Sequence, residues 1–130
     1  MNNKLDTGTK ISLLWIVVLM NMIFADILSL FIPGVQEQLI EFSGETSMPI
    51  PMLMLIGAVV HQIPIFMIFL SRVLKYSLNR KLNIFAAIFT IIYVVGGGSL
   101  FPHYIFIASI EVLCMIYIIW IAYRWKEIDV

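Results

Sequence analysis

Asp26, His61 and Glu111 each interrupt a long apolar run. Inside a membrane an ionisable side chain costs at least about 2.5–3.5 kcal/mol on insertion scales, and it generally turns toward neighbouring helices rather than lipid. Two carboxyl groups and an imidazole in such a setting can bind and hand over protons. Asn21, Gln62 and Tyr93 add polar groups to the same runs. Counting about 1.5 Å per residue from the basic end of each run puts Asn21 at roughly 15 Å, His61 and Gln62 at roughly 14–15 Å, Tyr93 at roughly 16 Å, Glu111 at roughly 18 Å and Asp26 at roughly 22 Å. The six residues are expected to meet in a polar pocket near the membrane midplane.

Such a pocket has two readings. In the first, it binds or passes a proton or small solute, with Asp26 and Glu111 titrating and His61 as their partner. In the second, the protein is a non-catalytic accessory or scaffold subunit whose polar cluster only specifies helix packing, at about 0.6 kcal/mol per interhelical hydrogen bond. Amides would serve as such glue at lower cost than carboxyl groups, so both readings stay open for Asp26 and Glu111, whereas Asn21, Gln62 and Tyr93 fit the second better. Pro64 lies just beyond His61 and Gln62, where it removes a backbone bond to Val60 and predicts a kink beside the polar pair.

The elements that must hold these residues are membrane helices. The 130 residues are 62% hydrophobic and 12% charged, too apolar for a small water-exposed core to absorb. A helix needs about 20 apolar residues to span a bilayer. Four stretches qualify, at 11–32, 51–71, 82–100 and 103–123. They predict an all-α, four-transmembrane-helix bundle forming one integral membrane domain over residues 1–130. The first stretch is too long for a secretory signal and lacks a small-residue cleavage site after it.

All eight basic residues fall on one side of these spans: Lys4 and Lys10, then Arg72, Lys75, Arg80 and Lys81, then Arg124 and Lys126. The segment 34–50 carries Glu37, Glu41 and Glu45 instead. Because cytoplasmic segments retain Lys and Arg, this predicts an N-in/C-in topology, with 34–50 as an outer loop and 72–81 as a cytoplasmic loop. So strong a bias argues against the dual insertion of some small multidrug exporters. Val35, Leu39, Ile40 and Phe42 interleave with polar residues in the outer loop, as in a short helix lying on the bilayer surface.

Several classes of function are excluded or unsupported. A lone cysteine, Cys114, cannot form an intramolecular disulfide or a dithiol relay. His61 and His103 lie at different depths, with no repeating ligand spacing for a metal or haem. The run Gly96-Gly97-Gly98 lacks the Lys and Ser/Thr of a phosphate loop and predicts close backbone contact or a loosened helix end. No catalytic residue, cofactor or metal site is assigned, and no nucleic-acid partner is expected. The partners expected are the lipid bilayer, anionic headgroups at the basic face, a proton or small solute, and a second copy or another protein.

Four segments carry a resemblance: Asn21-Met-Ile-Phe-Ala-Asp26-Ile, Ile63-Pro-Ile followed by Leu70-Ser-Arg72-Val-Leu, Asn79-Arg80-Lys-Leu-Asn83, and Tyr104 through Ile110-Glu111. Together they resemble an uncharacterised family of small bacterial four-helix integral membrane proteins, a domain of unknown function, over nearly the whole chain. The resemblance implies a multi-pass location in the bacterial inner membrane and brings no established activity. Relatives with this pattern often carry an acid at the position of Gln62, so this chain departs from them inside the predicted pocket.

Overall fold

The computed structural model describes residues 4–127. Among the described residues there are five helices and no strand: α1 (Thr7–Ser29), α2 (Val35–Thr46), α3 (Ile50–Val73), α4 (Tyr76–Gly96) and α5 (Pro102–Arg124). Four of them are long and apolar enough to cross a membrane. The shortest, α4, has 21 residues and is therefore about 31 Å long, matching a hydrocarbon core of about 30 Å.

Local chemistry sets the helix ends. Asp6 caps α1, its Oδ1 accepting the Thr9 backbone N–H at 2.6 Å, so the helix starts four residues before the apolar run. After Ser29 the chain turns through Gly34, whose φ of 90° suits a residue without a Cβ. Residues 35–46, expected as an outer loop containing a short surface helix, form α2, which buries no side chain. Pro51 occupies the first turn of α3, where its missing N–H costs nothing. The helix continues through Pro64, which is buried.

One boundary differs by more. Residues 72–81, expected as a loop, reduce to a connection at Leu74 and Lys75. Arg72 lies at the end of α3, and Arg80 and Lys81 in the first two turns of α4. Tertiary hydrogen bonds described below hold that polar start helical.

The four long helices run alternately up and down. The contacts are broadest between α1 and both α3 and α5 and between α4 and α5, with a sparser contact between α3 and α4; α2 rests on α3. On α1 the buried stripe is Ile11, Trp15, Val18, Met22 and Ala25; on α5 it is Ile107, Glu111, Met115, Ile118 and Ala122. Both stripes follow the three-and-four spacing of a helix face. Outward lie Phe24, Phe66, Phe69, Phe85, Phe106 and Trp120, all exposed. An apolar exterior this extensive is a lipid-facing surface or a site of assembly.

Candidate functional site

Asp26 follows Ala25, a buried member of the α1 stripe, and so lies at the stripe's edge toward α3. There it meets His61, with Nε2 and the Asp26 Oδ2 3.1 Å apart. The other ring nitrogen, Nδ1, lies 2.7 Å from the Gly57 carbonyl oxygen one turn earlier in α3. A carbonyl only accepts, so Nδ1 carries the hydrogen and donates it. Nε2 and the carboxylate would then face each other as two lone-pair bearers unless a proton lies between them. The Asp26–His61 pair thus holds one proton, whichever partner is taken to own it.

Glu111 comes from the opposite side of the bundle, at the centre of the α5 stripe. It is 2% exposed, and its Oε1 has no hydrogen-bond partner. A buried carboxylate oxygen left unpaired is costly and rare. The space in front of it is a cavity of about 20 Å³ lined by Asp26, His61, Tyr93, Tyr104 and Glu111, with Met22, Ala25 and Val94. That volume admits a single water molecule and little more.

Aromatic rings wall the cavity. The Tyr93 ring stands edge-on to His61, with centroids 6.0 Å apart. Tyr104 is anchored by its hydroxyl, which donates to the Val94 carbonyl at 2.8 Å. Gly98 makes room for it, since a Cβ there would collide with the Tyr104 ring and stand 2.8 Å from the Val94 oxygen. The glycine run expected to give close backbone contact thus supports a ring of the site.

Four of the six predicted pocket residues, Asp26, His61, Tyr93 and Glu111, share this cavity. Asn21 and Gln62 do not. Asn21 and Asp26 are five positions apart, a rotation of about 140°, and they fall on opposite edges of the buried stripe. Asn21 donates to the Val17 carbonyl at 2.8 Å and lines an open groove beside Met20, Ile23 and Phe24. Gln62 is turned about 100° from His61, is exposed, and sits in an apolar groove with Phe66, Phe85 and Phe89.

The four residues sit at different depths along their helices. Asp26 and Tyr93 each lie three residues before the end of their helix, about 5 Å from it. Tyr104 lies two residues into α5. Glu111 reaches deeper, about 14 Å along α5. His61 lies about 16 Å along α3, near its middle, so the cavity runs from the α2 end of the bundle to the middle of α3 and α5.

A second polar cluster, not expected from sequence, fills the half nearer the termini. The Trp15 indole N–H donates to Asn83 Oδ1 at 2.7 Å, and the Ser71 hydroxyl to the same oxygen at 3.1 Å. Asn83 Nδ2 donates to the Asn79 side-chain oxygen at 2.6 Å and to its carbonyl at 2.9 Å. Asn79 Nδ2 donates to the Ser71 carbonyl at 2.8 Å. The four-residue spacing of Asn79 and Asn83 signals a shared helix face, but only if residue 79 is taken as helical.

Five helices, four of them long and apolar enough to span a membrane, with an ionisable cluster between the long ones, define a small all-helical protein of the kind suited to multiple membrane crossings. The model of the Family of unknown function (DUF6326) matches residues 3–130. The chain belongs to that family. No curated protein and no solved structure matches it.

Proposed function

We propose that this is a multi-pass protein of the bacterial inner membrane that binds or passes a proton or small solute at the Asp26–His61–Glu111 cavity. The observation that carries the reading is the buried, unpartnered Oε1 of Glu111, separated by one small cavity from an acid–imidazole pair that already holds a proton. A cluster evolved only to join helices would satisfy its own hydrogen bonds.

An N-in/C-in orientation is part of the proposal. The basic residues gather where α1 begins, α3 meets α4, and α5 ends, while the acidic α2 lies at the opposite end; this polarity follows the positive-inside tendency. The basic end then faces anionic headgroups on the cytoplasmic side, and α2, with Ile40 and Phe42 exposed, rests on the outer surface.

The test uses full-length protein in proteoliposomes. Glu111→Gln and Asp26→Asn abolish proton uptake or solute flux while the purified variants stay folded. Unchanged flux in both folded variants overturns the reading.

A second reading, an accessory subunit or homo-oligomer, draws on α3. None of residues 50–63 is fully buried within the chain, which leaves that half of the helix free to pack against another protein. Cross-linking from Met54 or Val59 variants carrying cysteine would capture such a partner; reaction with lipid probes alone speaks against it.

A further inference from the structure

The charge balance and volume of the cavity narrow the ligand further. The groups that face Glu111 are Asp26 from α1, His61 from α3, Tyr93 from α4, and Tyr104 with Cys114 on α5 itself. Among the described residues, no lysine or arginine lines the space. One imidazole therefore serves two carboxyl groups, and Asp26 already engages it. An uncompensated charge is not sustained in such a place, so Glu111 requires one further cation. Among the described residues, no group of three His, Cys, Asp or Glu side chains is placed to hold a metal ion, and the cavity, at about 20 Å³, excludes organic solutes.

Access is graded. The Asp26 side chain is 62% exposed, that of His61 20%, and Glu111 as a residue 2%. Asp26 also lies nearest the α2 end of the bundle. The three groups form a path from the surface inward.

Resting on the function proposed above, we infer that the ligand is a proton, stored on Glu111 and delivered through one water molecule in the cavity from the Asp26–His61 pair, which exchanges with the medium on the α2 side only. In the transfer, the pair gives up its shared proton to the water oxygen, breaking the N–H or O–H bond that held it. The water passes another of its protons to Glu111 Oε1, where a new O–H bond forms. A proton from the medium then restores the pair. No electron is gained or lost.

Infrared spectroscopy of the full-length protein in lipid nanodiscs tests this. The Glu111 carboxylic-acid C=O band, assigned by its loss in Glu111→Gln, shifts on transfer to D2O at a rate that reports exchange. Ala25→Val fills the cavity and removes no titratable group. Asp26→Asn breaks the path with almost no change of volume. Each is expected to slow the shift on the order of 100-fold, the scale of a positioned proton relay. Leu113→Ala, on the exposed outer face of α5 and away from the cavity, is the control for substitution and keeps the wild-type rate.

A wild-type rate in Asp26→Asn, or the absence of any band lost in Glu111→Gln, overturns the inference. Should Ala25→Val fail to fold, Asp26→Asn decides alone. Glu111-dependent flux of sodium or an organic solute, without a slowed band in the variants, would refute the proton assignment and leave the broader reading standing. Absence of both flux and band would refute the two together.

Discussion

The two polar clusters of this bundle use similar numbers of side chains in opposite ways. Near the termini, Trp15, Ser71, Asn79 and Asn83 are neutral, buried, and joined so that the oxygen and the nitrogen of the Asn83 side-chain amide are both used to capacity. Near α2, Asp26, His61 and Glu111 are ionisable, stepped from exposed to buried, and leave a carboxylate oxygen facing a space. A satisfied network lowers the energy of one arrangement and resists change. An unsatisfied one has capacity left for something else. Trp125, whose indole N–H is also unpartnered, is the exception at the terminal end.

The contrast is broken most directly at Asn83. Asn83→Leu strands the Trp15 indole, the Ser71 hydroxyl and the Asn79 side-chain oxygen together, and it is expected to lower stability by about 3 kcal/mol in a denaturant titration of the detergent-solubilised protein. Glu111→Gln removes no hydrogen bond made by Oε1, so its stability is expected to stay within about 1 kcal/mol of the parent while proton exchange is lost. Equal destabilisation by the two would erase the distinction between the clusters.

Glycines at the two ends sharpen it next. A Cβ on Gly8 would lie 2.5 Å from the Ser71 carbonyl oxygen, and one on Gly98 would strike the Tyr104 ring. Both Cβ atoms also press on backbone, since that on Gly98 would stand 2.8 Å from the Val94 oxygen. Gly8→Ala and Gly98→Ala are therefore each expected to cost about 2 kcal/mol, and only Gly98→Ala displaces Tyr104, with slower exchange at Glu111 as its second readout. Gly57→Ala meets no atom within 4 Å and raises stability by up to about 1 kcal/mol through helix propensity.

The smallest effect belongs to Asp6. Hydrogen bonds from the Thr9 side chain and backbone hold its carboxyl below the usual aspartate range, with a lesser pull from Arg72. The folded value lies below the unfolded one, so the cap stabilises fully above the ordinary aspartate pKa and is lost as pH falls through the lowered value. Asp6→Ala is expected to cost about 0.5 kcal/mol at neutral pH, the low end for an exposed cap. Melting temperatures of parent and variant should converge on acidification below the ordinary aspartate range.

Much of the fold was legible because the bilayer requirement is one-dimensional. Runs of about 20 apolar residues have one economical solution, and α1, α3 and α5 fall close to where those runs lie. The start of α4 was not legible. Asn79, Arg80 and Lys81 look like loop residues, and what makes them helical is Asn79 reaching back to the Ser71 carbonyl, a contact between two helices. The candidate site was half legible for a related reason. Depth along a helix follows from counting, but the side a residue faces depends on how each helix is rotated, which counting does not give.

Sequence alone determined that four segments are long and apolar enough to cross a membrane, that every lysine and arginine lies at one end of them, and that Asp26, His61 and Glu111 lie within them. Those are properties of composition and order, which no packing can alter. Tertiary structure decided that Asp26 pairs with His61 while Asn21 and Gln62 turn away, and that Glu111 is left facing a space the size of one water. These depend on the rotation and closeness of helices set by side chains far from the site, among them Trp15 against Asn83 and Tyr104 over Gly98.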